Sequence, residues 1–444
     1  MTGNGGAAPA GSLWEATAPP DPSEGPLSGE VRADVCVVGA GFTGLSATLE
    51  LAGRGASVVC IDQGGAGHGA SGRNGGQVLA GFKWSPDEIV AAYGAERGGR
   101  LAAFGGAAPE VVYGLIARHG IDCGLRRCGW LNAAVDGAAF DRLAGIAGQW
   151  AARGAPVRML ERAETAALMG TGRYRGAMLD ERAGALNPLS YARGLAAAAQ
   201  RLGARLHGGT RALSLERDGE GWRVSTAAGV VRAREVLLAT NGYTDGLWSG
   251  LAQEVVPVHS LQVATRPLPE AVRTSILPGG QVVSDTQRIL LYFRLDDRGR
   301  LVMGGRGSLG ETNRDGLYRF VEDAACRLFP QIRRTDWEFR WAGKVALTAD
   351  HLPRVHELAP GLRACLGYNG RGVAMASVMG RAMGEWIATG DAGVLPLAPV
   401  PLRPLPFHAL RRPVLEAISA YCRLRDRMSW RRGSVKGTRL EAGD

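Results

Sequence analysis

Residues 33–62 read ADVCVVGAGFTGLSATLELAGRGASVVCID, and this stretch constrains the chain more than any other. Val35-Cys36-Val37-Val38 is an unbroken apolar run, the pattern of a parallel strand covered on both faces. Leu45, Leu49 and Ala52 then recur at helical spacing, and Gly53 and Gly55 mark the helix end. Ser57 to Ile61 is a second apolar strand, closing on Asp62. Gly39, Gly41 and Gly44 therefore stand in a G-x-G-x-x-G turn between a strand and a helix, inside a β-α-β unit. Gly39 permits the tight turn, Gly41 lets the backbone approach a pyrophosphate, and Gly44 lets helix and strand pack closely. Phe42 and Thr43 open the helix, whose free N–H groups and positive end face a phosphate. Asp62 lies 23 residues after Gly39, where a carboxylate accepts hydrogen bonds from ribose hydroxyls and repels a 2′-phosphate. Gln63 follows at the same strand end. The pattern predicts a dinucleotide site.

That unit accounts for a small part of a 444-residue chain, which is long enough for two or three domains. Glycine is in excess at 66 residues, and much of it clusters between apolar runs, which indicates tight turns and close backbone approach rather than disorder. Residues 1–32 read as a loose arm, with Ser12-Leu13-Trp14-Glu15 as an apolar patch fit to dock. Leu189 to Leu202 is a predicted helix. Arg211–Leu215, Trp222–Thr226 and Ala233–Ala239 form a predicted small strand cluster. Residues 255–305 alternate as antiparallel strands. Leu362 to Leu366 is one more buried strand, leading through Gly367–Gly372 into a helix to about Ala388. The expected fold is α/β: a Rossmann-type dinucleotide-binding domain (33–90, 183–254 and 342–392) interleaved with an antiparallel-sheet α+β substrate domain (91–182 and 255–341). A proline linker and basic helical tail cover 393–444.

Three further turns carry chemistry. Gly69-Ala-Ser-Gly-Arg-Asn-Gly-Gly-Gln77 places Ser71, Gly72, Arg73, Asn74, Gly75 and Gly76 where polar groups crowd a polyanionic cofactor. Ala239-Thr240-Asn241-Gly242 ends a strand. Gly370, Arg371, Gly372 and Val373 open a helix whose N-terminus can stabilise negative charge, and Ala376, Gly380 and Gly384 give it a smooth face for close packing.

With these turns, residues 30–392 resemble the D-amino-acid-oxidase-like family of FAD-dependent amine oxidoreductases. Within it the chain is similar to the gamma-glutamylputrescine oxidoreductase branch. That branch shares the Ser-Leu-Trp arm, the Ala-Ser-Gly-Arg-Asn-Gly-Gly loop, the Trp-x-Gly-x-x-x-x-Thr-x-Asp-x-x-Pro stretch at 341–353 and the Tyr-x-Arg-Leu-x-Asp pattern at Tyr421–Asp426. The resemblance implies that the four turns contact FAD and that Ala212 passes near the adenine. It also implies two departures. Where amino-acid oxidases of the family carry a carboxylate-holding arginine, Val345 stands with Lys344 beside it, and where sarcosine oxidases carry a lysine, Ala374 stands. No cysteine lies between Trp341 and Pro353, so FAD is expected without a covalent link. The expected reaction is oxidation of the C–N bond of a small amine, whose anion, if any, lies far from the reacting nitrogen. Hydride passes to the flavin, with oxygen or an unidentified acceptor downstream. Tyr243, Tyr292, Arg294 and Lys344 are the candidate pocket residues.

Composition excludes other classes. The seven cysteines include no CxxC pair, and Cys36, Cys60 and Cys365 lie in apolar strands, which excludes a disulfide framework and a structural zinc site and points to a reducing compartment. No run of about 18 apolar residues and no signal pattern occurs, so the expectation is a cytoplasmic protein. The net charge is +10, yet residues 401–444 hold ten Lys/Arg against four Asp/Glu, a surplus of six that leaves +4 for the rest. The basic character is a tail property, which argues against nucleic acid as partner. Leu410, Val414, Ile418, Tyr421 and Leu424 give residues 407–433 an apolar helical stripe, expected to pack on the enzyme itself, with an anionic membrane as the competing partner. Two alternatives stand beside the FAD enzyme: an NAD-dependent dehydrogenase, and a non-catalytic flavoprotein that serves as an interaction subunit.

Overall fold

The computed structural model describes residues 11–307 and 315–411, together with 413, 414, 416–418, 421 and 422. Two eight-stranded sheets organise these residues. In the first, Gly29–Val38 pairs in parallel with Val58–Ile61 on one side and with Gly229–Leu238 on the other. Arg205–His207 and Leu362–Leu366 extend the parallel set, and Arg354–Ala359 closes one edge antiparallel. The strands predicted from continuous apolar runs are buried on both faces: Val35–Val38, Val58–Ile61 and Leu362–Leu366 have no exposed residue. The predicted cluster is a hairpin of Ser214–Asp218 and Gly221–Ser225 appended to Gly229–Leu238, beginning three residues later than Arg211.

The second sheet runs Trp337–Leu347, Val256–Thr265, Leu301–Arg306, Leu291–Leu295, Val282–Asp285, Trp130–Ala134, Gly176–Asp180 and Val157–Glu161. It is antiparallel except where Val282–Asp285 meets Trp130–Ala134 in parallel, so this sheet is mixed. That junction brings together two stretches of chain far apart in sequence. Alternating burial along Trp337–Leu347 marks a sheet with one face on a core.

The helix Phe42–Gly53 lies against Gly372–Thr389. A Cβ at Gly380 would come 2.3 Å from the Thr43 carbonyl oxygen, and one at Gly384 would come 2.9 Å from that of Ala47. The small-residue face thus lets the two backbones touch, which fixes both helix N-termini toward the same space. The helix Ala95–His119, expected with the substrate domain, instead sends Leu101, Ala108 and Val112 into the same core as Leu45 and Leu49. Its apolar face is satisfied there.

The arm is not loose from residue 11 onward. Ser12 caps the turn Leu13–Thr17 in a capping box with Glu15, and Leu13 and Trp14 are buried against Phe339 and Trp341. The tail differs in the other direction. The proline stretch hydrogen-bonds along the body, Val400 to Val355 and Leu405 to Gln253. Beyond it, Leu410, Val414, Ile418 and Tyr421 are each half or more exposed. The expected packing of the stripe on the enzyme is therefore absent among the described residues; Leu424 and the rest of the tail lie outside them. Among the described residues no helix is long and apolar enough to cross a membrane.

Candidate active site

The first glycine turn is built as its spacing requires. Gly39 has φ +110°, and a Cβ there would come 2.8 Å from the Ala239 carbonyl oxygen on the neighbouring strand. A Cβ at Gly44 would fall 1.8 Å from the Gly39 oxygen, so only glycine lets the helix sit this close to the strand. Asp62 does more than await a ribose. Its Oδ2 accepts from the Ala40 N–H at 2.9 Å, and its Oδ1 accepts from Gly64 and Gly65 at 2.8 and 3.1 Å. The carboxylate pins the turn while keeping lone pairs free for hydroxyl donors.

The second loop closes over this helix. Ser71 Oγ accepts from the Phe42 N–H at 2.9 Å. Asn74 folds the loop upon itself, its Nδ2 donating to the Ala70 and Ser71 carbonyls while its Oδ1 accepts from Gly76. Every carbonyl of the next stretch is tied from behind. Trp341 Nε1 and Gln262 donate to the Arg73 oxygen, Trp14 Nε1 donates to that of Asn74 at 2.8 Å, and Arg294 Nε donates to that of Gly75 at 2.7 Å. Arg294, expected in the pocket, is therefore a correction. It is 4% exposed, stacks on Trp14, also donates to the Leu186 carbonyl, and does not line the cavity. Burial, with Arg126 nearby, pushes its pKa down to about 10. It stays a cation that braces loop carbonyls.

The third and fourth turns interlock. Gly367 and Gly370 have φ of +87° and +85°, and Asn369 has φ +53°. Asn369 Oδ1 accepts from the Thr348 N–H at 2.9 Å, and the Thr348 hydroxyl accepts from Asn369 Nδ2 at 3.0 Å and donates to the Leu352 carbonyl at 2.9 Å, which gives the threonine of the 341–353 stretch its role. Asn241 Oδ1 accepts from the Gly367 N–H at 2.9 Å. Thr43 Oγ1 and the Tyr368 hydroxyl are 2.6 Å apart, joining the first turn's helix to the turn at Gly367–Gly372.

Between these turns and the second sheet lies one cavity of about 460 Å³. At one end are Asp62, Gln63, Thr210 and Ala212; in the middle Gly41, Phe42, Thr43, Ser71, Arg73, Asn74 and Gly75, with Thr240, Asn241, Gly370, Arg371, Gly372 and Val373 around them. Gly39 also lines it. Gly44, Gly72, Gly76 and Gly242 do not; they serve the packing behind. A Cβ at Gly72 would come 2.4 Å from the Gly67 oxygen, and one at Gly76 would come 2.1 Å from that of Leu186. An elongated cavity with an acid at the ribose end, two helix N-termini and backbone amides along its middle fits a dinucleotide bearing a pyrophosphate.

The far end is walled by the second sheet and was not foreseen from sequence. Trp130, Asn132 and Ser284 come from the paired strands Trp130–Ala134 and Val282–Asp285, and Leu143 and Ile146 from the helix Gly137–Ala151. Trp130 Nε1 donates to Ser284 Oγ at 2.8 Å, which fixes the indole as a wall. No motif marks these residues; strand alternation was the one signal available. Of the expected pocket residues, Tyr292 stands here, its ring against Gly75 and its hydroxyl 2.7 Å from Ser260 Oγ. Burial pushes its pKa to about 12, so it is a neutral phenol. Tyr243 and Lys344 line the cavity elsewhere, Tyr243 packing on Gly69 with Lys344 Nζ 4.9 Å from its ring centre. Beside Ser284, Asp285 is 2% exposed and accepts from the Gln287 and Leu291 N–H groups and from Tyr174. Burial raises its pKa to about 7.

Residues 34–386 match a family model described as FAD dependent oxidoreductase. Gamma-glutamylputrescine oxidoreductase of Escherichia coli is 32% identical over 408 residues, covering 90% of this chain and 95% of that protein. A probable oxidoreductase, OrdL, of Rhizobium meliloti is 33% identical over 405 residues, covering 89% of this chain and 92% of its own. Among solved structures, glycine oxidase from Geobacillus kaustophilus aligns with a TM-score of 0.70 at 24% identity, over 83% of this chain and 100% of that one.

Proposed function

This chain belongs to the FAD-dependent oxidoreductase family whose model spans residues 34–386, and from that premise we propose that it oxidises the C–N bond of a small amine with non-covalently held FAD. The family assignment removes the NAD-dependent dehydrogenase and the non-catalytic subunit from consideration. The single observation that carries the substrate reading is the continuity of one cavity from the four cofactor turns to a walled pocket on the second sheet. Names of relatives agree with it: gamma-glutamylputrescine oxidoreductase and glycine oxidase both denote enzymes of nitrogen-bearing substrates.

Bound FAD would accept the hydride leaving the carbon beside the nitrogen, giving an imine that water hydrolyses to an aldehyde or keto product. The chain's own work is binding and exclusion. An amine must be neutral to release that hydride, and a wall of Trp130, Leu143 and Ile146 disfavours the ammonium form by desolvation. Asn132 and Ser284 offer polar atoms on the same wall, and the neutral Tyr292 hydroxyl, held by Ser260, cannot act as a base near pH 7. Arg73, Asn74 and Gly75 are held by Trp14, Trp341 and Arg294, so the loop meets its ligand already ordered.

An anaerobic screen tests the reading. Purified yellow protein is mixed with a panel of primary and secondary amines, and absorbance near 450 nm is followed. Bleaching by amines and not by alcohols, 2-hydroxy acids or NADH is the expected result; a flavin that NADH reduces and no amine reduces overturns it.

A further inference from the structure

We propose that the segment beginning at Phe407 is an interfacial anchor, which lays an apolar helical stripe on an anionic lipid surface. This goes beyond the amine-oxidation reading and does not depend on it.

Five of the eight exposed large apolar side chains among the described residues fall within 407–421: Phe407, Leu410, Val414, Ile418 and Tyr421. The other three, Leu202, Leu213 and Val400, are scattered. Single exposed apolar residues are ordinary on a protein surface, but a group gathered on one short segment marks a docking surface. Arg411, Pro413, Val414, Glu416, Ala417 and Ile418 are helical. Steps of four residues carry Leu410, Val414 and Ile418 along one side, and Glu416 falls on the opposite side. From Pro413 to Ile418 every described residue is exposed, so this helix stands off the body.

Its root is fixed. The Arg403 N–H donates to the Glu254 carboxylate, the Leu405 N–H donates to the Gln253 carbonyl at 2.9 Å, and His408 Nε2 meets the Val255 carbonyl at 3.1 Å. Phe407 turns the chain there in the left-handed region, at φ +54°, with its ring 82% exposed. The stripe therefore leaves the enzyme at one defined place, beside residues 253–255.

Charge selects the occupant. Residues 401–444 carry a surplus of six positive charges, and the first 400 carry four more. Packing stripe on stripe in a second copy would set two such surpluses together, and the rest of that copy offers no net negative charge. An anionic lipid surface meets both demands. Its acyl boundary takes the stripe, and its headgroups attract the arginines at 412, 423, 425 and 427, which lie outside the described residues. No helix among the described residues is long and apolar enough to cross a membrane, so the stripe lies in the interface rather than through it.

The test uses the full-length, flavin-loaded enzyme and needs no turnover. The protein is sedimented with phosphatidylcholine vesicles, with and without phosphatidylglycerol, at low and at high salt. Wild type is expected to pellet with the phosphatidylglycerol vesicles, to bind pure phosphatidylcholine at least roughly tenfold less, and to be released by salt. The double variant Val414→Ser, Ile418→Ser should bind about tenfold less or weaker still, with flavin content and melting temperature unchanged, because both side chains are exposed. Equal binding to both vesicle types, or to neither, overturns the proposal. Binding that survives the double variant is attraction of charge alone and also overturns it. A melting temperature that falls in the double variant places the stripe on the enzyme's own body. Sedimentation velocity without lipid decides the remaining occupant: a dimer that the double variant abolishes gives the stripe to a second copy and ends the lipid assignment.

Discussion

The indole N–H of Trp14 donates to the carbonyl of Asn74 at 2.8 Å, tying a helical turn near the N-terminus to the second cofactor loop 60 residues away. Trp14 is 2% exposed, meets Trp341 edge to face at 5.8 Å and carries Arg294 on its ring. Three side chains that hold loop carbonyls thus form one packed group. Trp14→Ala should cost about 3–5 kcal/mol of stability, the usual loss for a buried aromatic, and should release flavin on gel filtration. Flavin content and melting temperature measure the two; full retention with an unchanged melting temperature contradicts the bracing role.

Asp62 binds three backbone N–H groups of the phosphate turn and stands at the ribose end of the cavity. Asp62→Ala leaves those donors unpaired and removes the hydroxyl acceptor. Reconstituting apoprotein with FAD should show affinity weakened by roughly 1–3 kcal/mol, about tenfold to a hundredfold. Unchanged affinity removes Asp62 from the cofactor site.

No cysteine stands in 341–353, and the fold places that stretch along the cavity wall through Gly343–Leu347. Acid precipitation should leave all flavin in the supernatant. Yellow colour that survives in the washed pellet marks a covalent link and refutes the non-covalent assignment.

Asp285 gives stability a pH dependence of definite sign. Its pKa rises from 3.8 to about 7 on folding, so between those values the folded state binds more protons than the unfolded. Its contribution to stability is full below pH 4 and falls as pH rises toward 7, by on the order of 4 kcal/mol at 1.36 kcal/mol per unit. The melting-temperature difference between wild type and Asp285→Asn should therefore shift against wild type from pH 5 to pH 8. A difference that does not move with pH contradicts it.

The tail offers a test of its own. Val414 and Ile418 are 51% and 50% exposed, so little apolar burial is lost with them. Truncation after Arg411, which spares the His408 contact to the Val255 carbonyl, should leave the melting temperature within about 1–2 °C of full length, the scale of changes at exposed sites. A fall of 5 °C or more would instead place the stripe on the body of the enzyme.

What the sequence by itself determined is local. Gly39, Gly41, Gly44 and Asp62 identified a strand-turn-helix-strand unit because each answers to a steric or electrostatic demand met within 30 residues. Gly380 and Gly384 announced a close helix contact for the same reason, though not that its partner carbonyls belong to Thr43 and Ala47. Tertiary structure decided the rest. Arg294 looked like a pocket residue on its strand, but its partners are carbonyls of Gly75 and Leu186, more than 100 residues away, and sequence spacing carries no record of such pairing. Trp130 and Ser284 became one wall because their strands meet in parallel across the middle of the second sheet. Arg371 was legible as part of a turn that opens a helix. That its guanidinium stacks on Trp130 depends on two elements meeting, and only the folded chain brings them together.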